Sequence, residues 1–299
     1  MPRTPLLSSE TLGRSLGGRT FLKAELFQKT GSFKPRGVLT KLASLSPQER
    51  GRGVIAASAG NHAAALAYGS AVEGIDCLVV MWQGASELKR AAAVGYGATV
   101  DQEASGPAEV FERLGRLQEE SRRVLVHPFD DPLVIAGQGT VGREIGEDLP
   151  DVDVVVVPVG GGGLVSGIAV ALPEARVVAV EPVGSRAFQA GLAARAPVPV
   201  TPSSVADGLN APFAGTLPVE LGLELGIEPV LVTEEEIEEG FRFLYERTKL
   251  AAEPAGAAGV AALLAGKVPA VEGATVAVVV SGGNVAGETA SGILKPALR

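Results

Sequence analysis

Residues 154–173 contain no charged side chain. The run opens Val154-Val155-Val156-Val157 and continues through Pro158 into four consecutive glycines, Gly160, Gly161, Gly162 and Gly163. Its length would suit a membrane helix, which needs about 20 apolar residues. The proline and the glycines break such a helix, so a buried strand, a loop and a second helix fit better. Four successive valines leave no polar face on that strand. A strand apolar on both faces belongs in a parallel sheet with helices above and below it. A chain of 299 residues, 46% of them hydrophobic, can build such a core.

The same alternation of apolar strand and helix recurs along the chain. Strands are predicted at residues 54–58, 77–82, 98–100, 124–126, 176–180, 230–232 and 275–280. Helices are predicted at 61–70, 87–94, 107–120 and 132–147, after the glycine run, and after Pro254. Thr233 with Glu236 three residues on is a capping box, opening a helix that reaches about residue 250. Residues 194–202 hold three prolines and read as a connector. The pattern predicts a mostly parallel α/β architecture.

Charge and cysteine usage exclude several classes. Net charge is −8 and no dense Lys/Arg block occurs, so no nucleic-acid partner is expected. A single cysteine, Cys77, excludes an internal disulfide and a cysteine-rich zinc site. It lies in an apolar run and reads as a small buried hydrophobe. Residues 1–5 lack the apolar core of a signal peptide, so a cytoplasmic protein without a membrane anchor is expected.

In open α/β sheets, ligands gather beyond the carboxyl ends of the strands. Three motif loops take that place, and the sequence predicts them on one edge. Ser58-Ala59-Gly60-Asn61-His62 follows one strand, Gly160-Gly161-Gly162-Gly163-Leu164 another, and Ser281-Gly282-Gly283-Asn284 a third. Asparagine occurs only at 61, 210 and 284, and two of these positions lie in the loops. The glycine run lets backbone N–H groups close around a phosphate at a helix start. A dinucleotide site competes for the same residues. Gly161, Gly163 and Ser166 nearly match the dinucleotide fingerprint, and Glu181 follows at the ribose-binding spacing. Ser166 stands where that fingerprint has its third glycine. A fourth stretch, Thr30-Gly31-Ser32-Phe33-Lys34-Pro35-Arg36-Gly37, sets a lysine between an aromatic ring and a proline. Pro35 is expected to hold Lys34 in an extended conformation.

Together these stretches resemble the fold type II pyridoxal-phosphate enzymes, and within them the threonine/serine dehydratases and serine racemases. Ala136-Gly137-Gln138-Gly139-Thr140 is a further shared segment. The resemblance implies the tryptophan synthase β-like fold, with two open, mostly parallel twisted sheets flanked by helices. It implies a large cofactor-binding domain from residues 1–52 and 131–299, and a small substrate-loop domain from 53–130. It also implies pyridoxal 5'-phosphate as cofactor, a small hydroxy amino acid as substrate, and a homodimer or homotetramer.

The roles it implies fall on individual residues. Lys34 holds the cofactor as an imine and removes the Cα proton. Phe33 packs against the ring, and Asn61 hydrogen-bonds the ring hydroxyl. Gly160, Gly161, Gly162, Gly163 and Leu164 bind the phosphate. Gly208, Glu253, Ser281 and Gly282 lie near the ring, with Ser281 facing its nitrogen. Ser58, Ala59, Gly60, Asn61 and His62 bind the substrate, chiefly its carboxylate. His127 reads as structural. A serine at 281 cannot impose a charge on the ring nitrogen, which favours prompt loss of a β-substituent. Elimination of water from L-threonine or L-serine fits best, the released enamine giving a 2-oxo acid and ammonia. The cofactor phosphate is expected to protonate the departing hydroxyl.

Two departures from the family matter. Many relatives bind a cation through a Glu and a later Asp; Glu181 matches the first, but the second position is Ala187. No metal is expected. Nor is the regulatory domain of the biosynthetic dehydratases expected. Serine racemase, another fold type II lyase or synthase, and a dinucleotide-binding module remain the alternatives.

Overall fold

A computed structural model describes residues 1–85 and 87–295. The chain begins with β1 (Leu6–Ser8), α1 (Glu10–Leu16) and β2 (Arg19–Ala24), and two short 3-10 turns lead to α2 (Pro35–Ala43) and α3 (Pro47–Arg52). Strand–helix alternation follows: β3 (Val54–Ala57), α4 (Asn61–Glu73), β4 (Cys77–Trp82), α5 (Glu87–Gly95), β5 (Thr99–Ala104), α6 (Pro107–Ser121), β6 (Val124–Leu125) and α7 (Pro132–Asp148). It resumes with β7 (Val154–Pro158), α8 (Gly163–Ala171), β8 (Arg176–Pro182), α9 (Ala187–Ala194), α10 (Thr216–Glu224) and β9 (Glu228–Val232). Then come α11 (Glu234–Phe243), α12 (Pro254–Leu264), β10 (Thr275–Val280) and α13 (Gly287–Leu294).

The chain divides into two compact units, residues 34–137 and the remainder. The 53–130 segment implied by the family lies inside the first of these, and residues 296–299 of the expected large domain lie outside the described residues.

The larger unit holds a six-stranded sheet in the order β1-β2-β10-β7-β8-β9. Only the β1–β2 pairing is antiparallel. Alternate residues feed opposite faces, as strand geometry requires. Val154, Val156, Val178, Val276 and Val278 join a core with α11 and α12. Val155, Val157, Ala179, Ala277 and Val279 join a separate core with α8 and with Val141 and Ile145 of α7. Helix α12 is built from small residues and comes close to the sheet. A Cβ on its Gly259 would stand 2.7 Å from Val278 Cγ2. The capping box of α11 forms: Thr233 accepts from the Glu236 N–H, and Glu236 accepts from the Thr233 N–H. That helix runs on past Phe243 as a π turn at Leu244–Thr248 and ends on left-handed Lys249, close to the expected residue 250.

The smaller unit holds an all-parallel sheet, β5-β4-β3-β6. Val54, Ala56, Cys77, Val79 and Met81 pack against α2 and α4 on one face. Ile55 and Val80 pack against Val110 and Leu114 of α6 on the other. Cys77 is buried, and that burial pushes its thiol up to about 11. Gly69 lets α4 meet α2; a Cβ there would stand 2.9 Å from Val38 Cγ1.

Two expectations change. The three motif loops do not leave one sheet: β7 and β10 are neighbours in the six-stranded sheet, while β3 lies in the four-stranded one. Lys34 is helical rather than extended, with φ −54° and ψ −37°. Pro35 takes the first position of α2, where a missing N–H costs nothing, and the Lys34 carbonyl accepts the Val38 N–H at 3.3 Å.

Candidate active site

In the larger unit, β7 and β10 deliver two loops to one carboxyl edge. The glycine run leaves β7 and opens α8. Gly162 caps α8 in a left-handed conformation, φ 96°, and no side chain caps that end. A Cβ on Gly162 would stand 2.6 Å from Pro218 Cβ, so no other residue fits. The Gly215 N–H braces the loop through the Gly161 carbonyl at 3.1 Å. The helix start thus keeps its N–H donors for an anion. Ser166, one turn into α8, is fully buried with a hydroxyl that has no partner.

Glu181 removes the dinucleotide reading. Its carboxylate is fully buried and accepts the N–H groups of Phe188 at 2.7 Å and Gln189 at 2.8 Å. It serves the start of α9 instead of offering a hydrogen bond to a ribose. Burial pushes this carboxyl up to about 7, against the pull of the two N–H donors. Among the described residues no cluster of three metal-ligating side chains occurs.

The turn after β10 gathers most of the expected ring-side residues. The Phe33 N–H donates to the Ser281 carbonyl at 3.1 Å, and Ser32 pairs with Gly282 across an antiparallel bridge. The Glu253 N–H donates to the Gly282 carbonyl at 3.0 Å. The Glu253 carboxylate lies over Gly282, where a Cβ would collide with it, and near Gly208, where a Cβ would stand 3.0 Å from Ala255 Cβ and 3.7 Å from the carboxylate. Leu209, beside Gly208, reaches the glycine run; a Cβ on Gly160 would stand 3.3 Å from its backbone. Phe33 packs against the apolar cluster that contains Leu164. Gly160, Leu164, Gly208, Glu253, Ser281, Gly282 and Phe33 therefore form one locus. Just before it, Thr30 and Gly31 both take positive φ, 61° and 73°. A β-branched residue in that region is strained, by about 1–3 kcal/mol. Asn284 secures the strained turn by donating Nδ2–H to the Thr30 carbonyl at 2.7 Å.

The smaller unit holds the other expected residues. Lys34 opens α2, and its Nζ donates to the Pro128 carbonyl at 2.9 Å. The loop after β3 carries Ser58, Ala59 and Gly60 to Asn61 and His62 at the start of α4. Gly60 caps this 13-residue helix without a side-chain bond, so its first N–H groups suit a carboxylate. The His62 side chain does not share that role. Its Nε2 donates to the Val126 carbonyl at 2.8 Å, and its buried Nδ1 is an acceptor without a partner. Burial and the nearby Lys34 charge push the imidazole down to about 3, so it is neutral. A neutral ring with its one N–H committed has nothing to donate to a carboxylate; only the His62 backbone N–H can serve.

Three other lysines offer poorer candidates for covalent chemistry. Lys23 is fully buried between Glu144, at 2.6 Å, and the Thr4 carbonyl, at 2.8 Å. Lys41 is paired with Asp131 at 2.6 Å, and Lys29 is exposed. The carbonyls of Val126 and Pro128 escaped the sequence reading, because a backbone acceptor leaves no residue signature. Their place just after parallel strand β6 was the one available hint.

In the larger unit the residues present fit a phosphate group, with a side-chain-free cup at a helix start and an orphaned hydroxyl behind it; the smaller unit, by itself, offers a lysine at a helix start, the residue type that binds an aldehyde cofactor. The sequence profile of the pyridoxal-phosphate dependent enzymes matches residues 1–282. The L-threonine ammonia-lyase of Thermotoga maritima is 47% identical over 288 residues, covering 95% of this chain and 71% of that protein. A solved threonine deaminase from T.th. is 40% identical with a TM-score of 0.87, covering 95% of this chain and 94% of the other. Maize serine racemase is 35% identical with a TM-score of 0.92, covering 96% of this chain and 90% of the other. A glycine cup on a parallel strand, a lysine at a helix start and a match over nearly the whole chain lead to one statement: the chain belongs to the pyridoxal-phosphate dependent enzyme family.

Proposed function

We propose that this chain is a threonine/serine ammonia-lyase, removing water from L-threonine or L-serine to give 2-oxobutyrate or pyruvate, and ammonia. The observation that carries the proposal is 47% identity to an L-threonine ammonia-lyase along 95% of the chain. Lys34 carries the cofactor and takes the Cα proton. The glycine run from Gly160 to Gly163, with Leu164, holds the phosphate. Phe33, Gly208, Glu253, Ser281 and Gly282 surround the ring, and Asn61 meets its hydroxyl. Pyridoxal phosphate supplies an electron sink for the Cα bond electrons. Ser281 is neutral, so the sink is moderate and loss of the β-hydroxyl is favoured. Ser58, Ala59, Gly60 and the N–H groups of Asn61 and His62 take the substrate carboxylate at the start of α4.

Residues 53–130 act as the substrate-loop domain, and 1–52 with 131–299 as the cofactor-binding domain. The chain works as a cytoplasmic homodimer or homotetramer. No helix among the described residues is long and apolar enough to cross a membrane. The test is to give the purified yellow protein L-threonine and L-serine and to follow 2-oxo acid and ammonia together. Equimolar release of both is expected. Protein that carries the cofactor but releases neither would overturn the proposal.

A further inference from the structure

The segment after β6 makes more polar contacts than a connecting loop needs. Val126 and Pro128 lie two residues apart, and their carbonyls accept from His62 Nε2 and Lys34 Nζ, respectively. Between them, His127 turns its ring back on its own chain. Its Nδ1 accepts the Asp130 N–H at 2.8 Å and the Phe129 N–H at 3.4 Å. The ring also meets Phe129 edge-on, with centroids 4.6 Å apart. Asp131 then accepts the N–H groups of Leu133 and Val134, at 2.9 and 3.1 Å, starting α7. The same carboxylate pairs with Lys41. Lys41 lies two turns beyond Lys34 along α2, so the helix meets this segment twice.

The His127 contacts copy those of an asparagine or aspartate turn, in which a short side-chain acceptor takes the N–H groups two and three residues on. They fix the backbone on both sides of the Pro128 carbonyl. That carbonyl accepts from the Lys34 amine. A free lysine side chain carries about 2 kcal/mol of rotamer entropy, so an amine without a fixed acceptor wanders.

We propose that His127 is a positioning residue for Lys34. Its Nδ1 folds residues 127–130 so that the Pro128 carbonyl is aimed at the Lys34 amine. The amine is thereby kept in one place whenever it is not bonded to the cofactor. The inference rests on Lys34 being the cofactor-bearing lysine.

Two variants separate the acceptor from the ring. In His127→Asn, the amide oxygen stands close to where Nδ1 stood. In His127→Gln, the extra methylene displaces it; His127→Ala makes the same comparison should the Gln variant not fold. The full chain is stripped of cofactor and mixed with pyridoxal phosphate. The rate of growth and final visible circular dichroism of the lysine-bound band are recorded, and borohydride-fixed cofactor is mapped by mass spectrometry. Attachment to the Gln variant should be about tenfold slower than to wild type, the scale of one lost hydrogen bond. Attachment to the Asn variant should stay within about twofold of wild type, because Asn makes the same turn. A Gln variant with the wild-type rate and band overturns the proposal while leaving Lys34 in place. An Asn variant as slow as Gln also overturns it, since the ring and not the acceptor would then matter. Label on a lysine other than Lys34 in wild type overturns the Lys34 assignment itself, and this inference with it.

Discussion

His62 Nε2 lies 2.8 Å from the carbonyl oxygen of Val126. A carbonyl can only accept, so the proton is on Nε2 and Nδ1 carries the lone pair. His62 is 3% exposed, and burial with the nearby Lys34 charge pushes its pKa down to about 3 from an ordinary 6.5. Between these two values the unfolded chain holds a proton that the folded chain does not. Folding stability therefore falls as pH drops through that window, by up to about 1.4 kcal/mol per pH unit. His62→Gln keeps an N–H for Val126 and removes the titration. Urea unfolding of cofactor-free protein at pH 6.5 and pH 5 should show wild type losing more stability than the variant. Equal losses would mean that the imidazole titrates alike in both states.

Lys34→Ala is expected to lose the visible absorbance of lysine-bound pyridoxal phosphate and nearly all turnover. The fold should survive, because α2 is held by buried Val38 and Leu42 and by the Lys41–Asp131 pair. Far-ultraviolet circular dichroism, absorbance and 2-oxo acid release check the three parts. Borohydride-fixed cofactor in wild type should map to Lys34; finding it on Lys23, Lys29 or Lys41 rejects the assignment.

The readable parts of this chain are those where one local rule acts alone. Residues 154–157 are four valines, and they form a strand buried on both faces. Thr233 and Glu236 are at capping-box spacing, and the box forms. Elsewhere tertiary partners override the local signal. Strand β2 reads poorly because Lys23 sits inside it, and Glu144, 121 residues away, together with the Thr4 carbonyl makes that charge tolerable. Pro35 argues against a helical Lys34, yet Pro35 is itself the first residue of α2. Glu181 has the spacing of a ribose ligand, and only the fold shows that its carboxylate goes to α9. The loops at residues 58–62, 160–164 and 281–284 are legible as carboxyl-end loops, but their assignment to two sheets depends on strand pairing.

Glu181 predicts a pH dependence opposite to that of His62. Its folded pKa is raised to about 7 from 4.5. Between those values the folded chain holds the proton and the unfolded chain has lost it. Stability from this group therefore falls as pH rises from 4.5 to 7, and levels off above that. Glu181→Gln removes the dependence. Thermal midpoints of cofactor-free protein at pH 5 and pH 7.5 should show wild type losing more than the variant as pH rises. A parallel pair of profiles would place the Glu181 pKa at its unfolded value.

Position 59 separates elimination from racemisation, a distinction sharpened by the 35% identity to maize serine racemase. A racemase takes the Cα proton from one face and returns a proton on the other, so it needs two proton carriers. In the proposed function Lys34 serves one face. The resemblance to the serine racemases implies that a racemase carries a serine at the second position of the substrate loop. That position is Ala59, which has no exchangeable proton. The neighbouring Ser58 is held by its turn and strand: its Oγ accepts the Gly60 N–H at 3.2 Å, and its N–H is bonded to the Val80 carbonyl. The bond from Gly60 uses a lone pair of the oxygen and leaves its O–H proton to donate, in the proposed function to the substrate carboxylate. Wild-type protein given L-serine should form pyruvate with at most trace D-serine. Ala59→Ser should raise D-serine formation only if the new hydroxyl comes within hydrogen-bond reach of Cα. Pyruvate and D-serine are to be followed in the same reaction. Comparable amounts of both from wild type would reveal a second proton carrier and reject the assignment as a lyase alone.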